Sequence, residues 1–303
     1  MAPREASRSP RRAGASRRAR LGASGPIDAA PWRGRRARSI ARMARPTTVA
    51  VISQKGGTGK TTAVRTLADA FRTAGVQTLA IDLDPQGNLS DYLDAPPEIE
   101  PTIGDVLAGR ASLREAIHDD LVPANLSLAE AELLLAGKAN HELTLRDALA
   151  RARLSYELVL IDCPPSLGLL TFNALVAADW ALITAVAQYF ALQGVEQAMA
   201  VIKLAHDKLN PSLAVLGVLL NLADMRTVHS REVLASLRER FGDRVFDTVI
   251  RASIAYAESA ESAVSILDYR PDLGGDYLEL AEEMLTRLPA PVQARERLSA
   301  LHR

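Results

Sequence analysis

The sequence predicts an α/β fold: a doubly wound, mostly parallel sheet with helices on both faces. Three observations carry this. Short apolar, β-branched runs recur along the chain, helix-period segments alternate with them, and no Pro/Gly linker divides the patterned region. Strands covered on both faces read as near-continuous apolar runs, whereas half-exposed strands alternate.

The elements follow in order. Residues 48–53 (TVAVIS) read as the first strand, and after a Gly-rich loop residues 60–74 read as a helix with Val64, Leu67, Ala68 and Phe71 on one face. Gly75 stands where a glycine closes a helix. Residues 77–82 (QTLAID) make a second strand. Thr102/Asp105, Ser127/Glu130 and Thr144/Asp147 each place a hydroxyl three residues before an acid, so short helices are expected to begin there with capping boxes. Residues 156–162, 180–186, 214–221 and 245–250 read as further strands, and about 190–208, 230–241 and 276–287 as further helices. The stretch 259–265 (SAESAVS) receives no assignment, and Trp180 and Tyr189 read as core and near-surface packing.

Composition narrows the classes. With 303 residues, 48% hydrophobic, the chain is long enough for an ample core, and 4% aromatics means that Leu, Val, Ile and Ala must build it. The single cysteine, Cys163, excludes an internal disulfide and a Cys cluster for zinc or iron–sulfur. The five histidines, at 118, 141, 206, 229 and 302, show no metal-ligand spacing. The most apolar stretch, 167–194, is interrupted by Asn173, Asp179 and Gln188, so a membrane span is not expected.

The zero net charge hides an asymmetry: residues 1–46 carry 13 Arg and two acids, net +11, and the remaining 257 residues are net −11. The first segment has almost no apolar periodicity and is expected to be a disordered basic extension. It reads as a nucleic-acid arm, as an Arg-rich transit peptide that its Pro and Gly disfavour, or as no part of the working protein. In the last case Met43, directly before the first patterned segment, would be a natural start. The expected organisation is that extension at 1–46, one domain at 47–290 and a short tail at 291–303.

The segment Gln54-Lys55-Gly56-Gly57-Thr58-Gly59-Lys60-Thr61-Thr62 lies between a predicted strand and a predicted helix, as a phosphate-binding loop must. Glycines let backbone N–H groups approach phosphate oxygens, and the helix N-terminus adds partial positive charge. Lys60 is expected on the β/γ-phosphates and the Thr61 hydroxyl on Mg²⁺. Gln54 breaks the strict G-x-x-x-x-G-K-[ST] pattern, and Lys55 adds a second lysine at the loop's entrance. Asp84 and Asp162 follow the second and third predicted strands, whose C-termini converge on the ligand crevice, so both are expected near the phosphates and the metal, with Thr61.

Three segments, KGGTGKTT, DLDPQGN and VLIDCPPSLGLLTFNAL, resemble the motifs of the ParA family of partition ATPases, within the ParA/MinD deviant-Walker group, with the likeness strongest to Soj-type members. It runs over most of residues 47–287. The resemblance implies an ATPase that uses ATP and Mg²⁺. Lys55 matches the signature lysine that crosses a sandwich dimer to the partner's nucleotide; Asp84 matches the acid that positions the attacking water. Asp162 matches the acid holding Mg²⁺, and Asn221 ends a strand where the family contacts adenine. Implied partners are a second copy when ATP is bound, a ParB-type stimulating protein and non-specific double-stranded DNA, in a cytoplasmic, nucleoid-associated setting. Lys203, Arg226 and Arg251 match DNA-facing positions, although the family's I-P-R-N-x-R is here Ile250-Arg251-Ala252-Ser253-Ile254-Ala255, and Gln188 replaces a usual Glu. Other readings remain open: a positioner of another cargo, a MinD-like membrane-associated ATPase, or a metabolic enzyme of the wider group. Against the membrane reading, Val292, Leu298 and Leu301 in the tail are interrupted by charges.

Overall fold

The computed structural model describes residues 45–289 and 292–301. The expected extension lies outside the described residues except for Arg45 and Pro46, and so does Met43. Arg45 pairs with Asp179 at 2.5 Å, so at that residue the chain already belongs to the folded domain.

Among the described residues seven strands form one parallel sheet: β1 (Thr47–Ile52), β2 (Thr78–Asp82), β3 (Leu121–Val122), β4 (Leu158–Asp162), β5 (Trp180–Val186), β6 (Ala214–Ala223) and β7 (Val245–Arg251). Their spatial order is β3-β2-β4-β1-β5-β6-β7, with every neighbouring pair parallel. Helices cover both faces, as expected. One layer holds α1 (Lys60–Thr73), α2 (Asn88–Tyr92), α9 (Ala255–Glu261), α10 (Ile266–Tyr269), α11 (Pro271–Arg287) and α12 (Val292–Leu301). The other holds α3 (Ile103–Ala108), α4 (Ser127–Ala136), α5 (Thr144–Ala152), α6 (Leu169–Ala177), α7 (Ala191–Lys208) and α8 (Val228–Phe241). Val49 and Val51 join Val64, Leu67, Phe71 and Tyr277 in the core under the first layer. β1, β2 and β4 are buried almost throughout, which is why their sequences do not alternate.

Several boundaries differ from expectation. The α3 capping pair forms, with the Asp105 carboxylate accepting from the Thr102 N–H at 2.9 Å. The other two capping boxes do not. Ser127 and Thr144 are the first residues of their helices rather than the caps. Asn125 Oδ1 takes the Ser127 N–H instead, and the Thr144 hydroxyl turns back to the His141 carbonyl. Tyr189 is 85% exposed, and its packing is an edge-on stack against Phe190 at 4.9 Å between ring centroids.

Within the expected short tail, Val292–Leu301 form a helix. In α12, Ala294 and Leu298 are buried in the core, and Arg297 Nη1 donates to the Ala74 carbonyl at the end of α1. Leu298, on which a membrane-anchoring tail would depend, is used inside the fold. Among the described residues no helix is long and apolar enough to cross a membrane.

Candidate functional site: a phosphate loop at the sheet's C-terminal edge

The loop after β1 is organised by Ser53. Its hydroxyl donates to the Lys55 carbonyl at 2.7 Å and accepts from Thr58 Oγ1 at 2.9 Å and from Lys60 Nζ at 3.1 Å. Thr58 also meets Thr184 Oγ1 of β5 at 2.9 Å, which ties the loop to the neighbouring strand. Gly57 and Gly59 have φ of +71° and +73°, a region in which glycine is at home. At Gly59 a Cβ would also stand 2.5 Å from Asn221 Nδ2, so both conformation and space require glycine. Gly56 and Gly57 are exposed, and Thr62 is half-buried on the first turn of α1.

No side chain caps α1. Its first-turn N–H groups therefore remain available to an anion, and the helix dipole favours negative charge there.

Lys60 is buried. Burial pushes its ammonium pKa down, and the Asp162 carboxylate opposes that shift. Asp162 lies opposite Asp82 in the β2–β4 register and beside Val51 in the β1–β4 register. Thr61 Oγ1 donates to Asp162 Oδ2 at 2.6 Å, while Asp162 Oδ1 is buried with no hydrogen-bond partner. Burial raises the Asp162 pKa, and the Asp82 charge raises it further.

Asp82 is a site residue that the sequence reading passed over. Its carboxylate accepts from the Ser90 N–H and hydroxyl at 2.9 and 2.8 Å and from the Asp84 N–H at 3.1 Å. It thereby fixes the loop that presents Asp84, which is itself buried and accepts from the Gln86 N–H at 3.0 Å. Burial raises the Asp82 pKa as well.

The unpaired Asp162 oxygen, the Thr61 hydroxyl beside it and the uncapped helix end fit a magnesium-bound nucleotide. Among the described residues no group of three or more His, Cys, Asp or Glu forms a metal cage. Mg²⁺ usually takes one or two carboxylates and completes its shell with phosphates and water, a role the unpaired Asp162 oxygen beside Thr61 fits. Cys163 is buried and its thiol pKa is pushed well up by burial, so it is a packing residue.

The raised carboxyls of Asp82 and Asp162 yield a test. Both native pKa values lie above the ordinary 3.8, so the fold favours the protonated forms. Their stabilising contribution is complete at low pH and is lost as pH rises through the native values. With metal chelated, the melting temperature should fall between about pH 5.5 and about pH 8.5, and Mg²⁺–ADP should flatten that fall. A chelated protein with the same melting temperature at both pH values would contradict this electrostatic picture.

Two expectations change on inspection. Asn221 is fully buried behind the loop, where Nδ2 donates to the Thr58 and Gly59 carbonyls at 2.8 and 3.2 Å and Oδ1 accepts from the Leu222 N–H. It braces the phosphate loop rather than presenting an amide to a base. The cations expected to face DNA are each matched by a carboxylate: Lys203 with Asp207 at 2.5 Å, Arg226 with Asp224 at 2.9 Å, and Arg251 with Asp276 at 2.9 Å.

Lys55 differs from Lys60 in kind. It is exposed, and its Nζ lies 5.1 Å from the centroid of the Phe190 ring, a cation–π contact at the mouth of the site.

Parallel sheet, phosphate loop, uncapped helix and strand-end aspartates define a P-loop NTPase fold whose site fits a magnesium-bound nucleotide. A family profile described as "AAA domain" matches residues 46–215. The chromosome partitioning protein ParA of Caulobacter vibrioides is 39% identical over 250 residues, covering 79% of this chain and 94% of that protein. The chromosome-partitioning ATPase Soj of Treponema pallidum is 35% identical over 248 residues, covering 79% and 97%. A solved structure of cobyrinic acid a,c-diamide synthase from Mycobacterium smegmatis with bound ADP and magnesium superposes with a TM-score of 0.66 at 36% identity, covering 72% of this chain and 92% of that one. The chain belongs to the ParA/Soj family of chromosome-partitioning ATPases.

Proposed function

We propose that the protein is an ATP-dependent dimerising switch that binds DNA without sequence preference and moves or segregates it with a ParB-type partner in the cytoplasm. The observation that carries this reading is the division of labour between the two lysines. Lys60 is buried within its own phosphate site, whereas Lys55 stands exposed at the mouth. A cation there is suited to a nucleotide held by a second copy, where it would act as a charge supplied in trans.

The surroundings support the same reading. Large exposed apolar residues follow the C-terminal ends of four strands: Leu126 after β3, Tyr189 and Phe190 after β5, Val228 after β6 and Ile254 after β7. Leu133 and Leu134 on α4 are exposed as well. Such residues at the nucleotide end of the sheet suit burial between two copies.

When bound, Mg²⁺ would supply charge compensation for the phosphates. The α1 N-terminus and Lys60 would hold the phosphates, and Thr61 and Asp162 would hold the cation. Asp84 orients the attacking water and accepts its proton. ATP closes the dimer, the dimer holds DNA, and hydrolysis releases it.

The test compares wild type with Lys55→Gln for mass in solution in ATP and in ADP, and for binding to duplex DNA across a salt series. Wild type should dimerise and bind DNA in ATP only. Lys55→Gln should keep monomer ATP affinity within a few-fold and lose the ATP-driven dimer. A Lys55→Gln protein that still dimerises would exclude a role in trans. A wild type that dimerises without binding DNA would favour a positioner of another cargo.

A further inference from the structure

We infer that the groove between α3 and α5 binds the phosphodiester backbone of DNA through Arg114, Arg151 and Arg153. This rests on the DNA-binding reading above and names the surface that reading leaves open. On the expected DNA face Lys203, Arg226 and Arg251 are each paired with a carboxylate, and Arg231, bonded to the Met225 and Arg226 carbonyls, is the exposed arginine there without one among the described residues.

The groove is a hollow of about 540 Å³ between the 109–115 turn that follows α3 and the last turns of α5, with Arg110, Arg114 and Arg151 in its lining. Arg110 is offset by Asp105 at 2.8 Å. The other lining charge, Glu115, accepts from the Ser112 N–H and hydroxyl at 2.8 Å each and keeps its negative charge, so the arginines of this surface must outweigh it. Asp147, one turn earlier on α5, pairs with Arg146.

Arg114, Arg151 and Arg153 have no carboxylate partner among the described residues. Arg114 donates through Nε and Nη2 to the Ala152 and Arg153 carbonyls at the end of α5, and Arg151 donates through Nε to the Asp147 carbonyl. These anchors fix the guanidinium groups and leave Nη1 of Arg114 and both terminal nitrogens of Arg151 for an outside acceptor. Arg153 ends α5 with φ of +45°, exposed and beside them. In a region whose net charge from residue 47 onward is −11, three guanidinium groups without carboxylate partners on one surface offer a polyanion a place to bind.

The class of ligand follows from the chemistry and the exposure. The arginine fork matches phosphate oxygens two at a time. All three residues are exposed, which suits an extended, solvated backbone. A small free anion is ordinarily enclosed by its site.

The experiment uses the full 303-residue chain. ATP-dependent binding to a duplex of random sequence is measured against salt for wild type, Arg151→Glu/Arg153→Glu and Lys203→Glu/Arg226→Glu. Arg151→Gln/Arg153→Gln and melting temperatures control for damage to the end of α5. A parallel titration with inorganic phosphate, read as a thermal shift, separates the free ion from the polymer. The Arg151/Arg153 pair should lose at least about tenfold in DNA affinity, and its log–log salt slope should shrink by about 2, with basal ATPase unchanged. The glutamine pair should fall between it and wild type. Retained affinity in the Arg151/Arg153 variants with loss in the Lys203/Arg226 variant would overturn the inference and spare the DNA-binding reading. Loss of a phosphate-induced shift with DNA affinity intact would assign the groove to a small anion and overturn it too. A wild type that ignores DNA in ATP would remove the DNA-binding reading itself.

Discussion

Lys60→Ala is expected to abolish nucleotide binding while leaving the domain folded. Among the described residues Lys60 is the buried lysine, and its ammonium interacts with the Asp162 and Asp84 carboxyls, with Asp82 opposite Asp162 in the sheet. Its loss leaves three buried or nearly buried carboxyls with no cation facing them, in the place where triphosphate must enter. A charge-assisted contact in a desolvated site contributes about 1.5–3 kcal/mol, so removing it alone lowers affinity by roughly ten- to a hundredfold. The exposed carboxylate field adds to that loss, and the expected total is no measurable binding at about millimolar nucleotide. Fluorescent-nucleotide titration reads the affinity, and circular dichroism with a melting curve reads the fold. The side chain's own protein bond is the single contact to Ser53, which supports retention of the fold. Unchanged nucleotide affinity in a folded Lys60→Ala protein would sink the phosphate-loop reading.

Why this site could be read in the sequence, and parts of it could not, follows from how each element is stabilised. The strand–loop–helix unit at 47–73 was legible because the β-branched run, the glycines and the helical period are all local signals. Asp84 and Asp162 were legible because a parallel sheet gathers strand ends on one edge. β3 was not: with two residues, it exists only because β2 offers it a ladder. Nor was α6, whose sequence LLTFNALVA is apolar on every side because strands and helices enclose it, so no 3.6-residue period marks it. Two capping boxes failed because the same hydroxyl-to-acid spacing is satisfied by residues already inside the first turn.

Within the site, the residues that were missed are those whose partners are distant in sequence. Ser53 gathers Lys55, Thr58 and Lys60 only once the loop closes, and Phe190 meets Lys55 across 135 positions of chain. Asp82 looked like one more strand residue until its oxygens were seen to hold Ser90 and the Asp84 backbone. The resemblance transferred Asn221 to adenine on position alone, whereas its amide is taken by the loop carbonyls. It likewise transferred three surface cations, but a position cannot reveal that a carboxylate two, four or 25 residues away neutralises each of them.

Asp84→Ala should separate binding from turnover. The Asp84 carboxylate accepts one hydrogen bond, from the Gln86 N–H, and its tie to the phosphate loop is charge attraction to Lys60. Deleting it therefore leaves the phosphate donors and the Thr61–Asp162 pair in place, and ATP affinity should stay within a few-fold of wild type. Turnover should not survive. Positioned proton transfer contributes about 10²–10⁴ in rate, and among the site carboxyls Asp84 is the one whose backbone is held for that task by Asp82, while Asp162 is committed to Thr61. Phosphate release should therefore fall by at least about a hundredfold. Because hydrolysis is the step that opens the proposed dimer, the variant should remain dimeric in ATP and stay on DNA when ADP accumulates only slowly. Asp162→Ala is the contrast: it removes the oxygen beside Thr61 and should lose magnesium-dependent binding together with turnover. If Asp84→Ala released phosphate at the wild-type rate, the general base would have to be sought elsewhere. If it failed to bind ATP at all, Asp84 would be holding the loop rather than the water, and Asp82, which anchors that loop through the Asp84 N–H, would be the residue to change next.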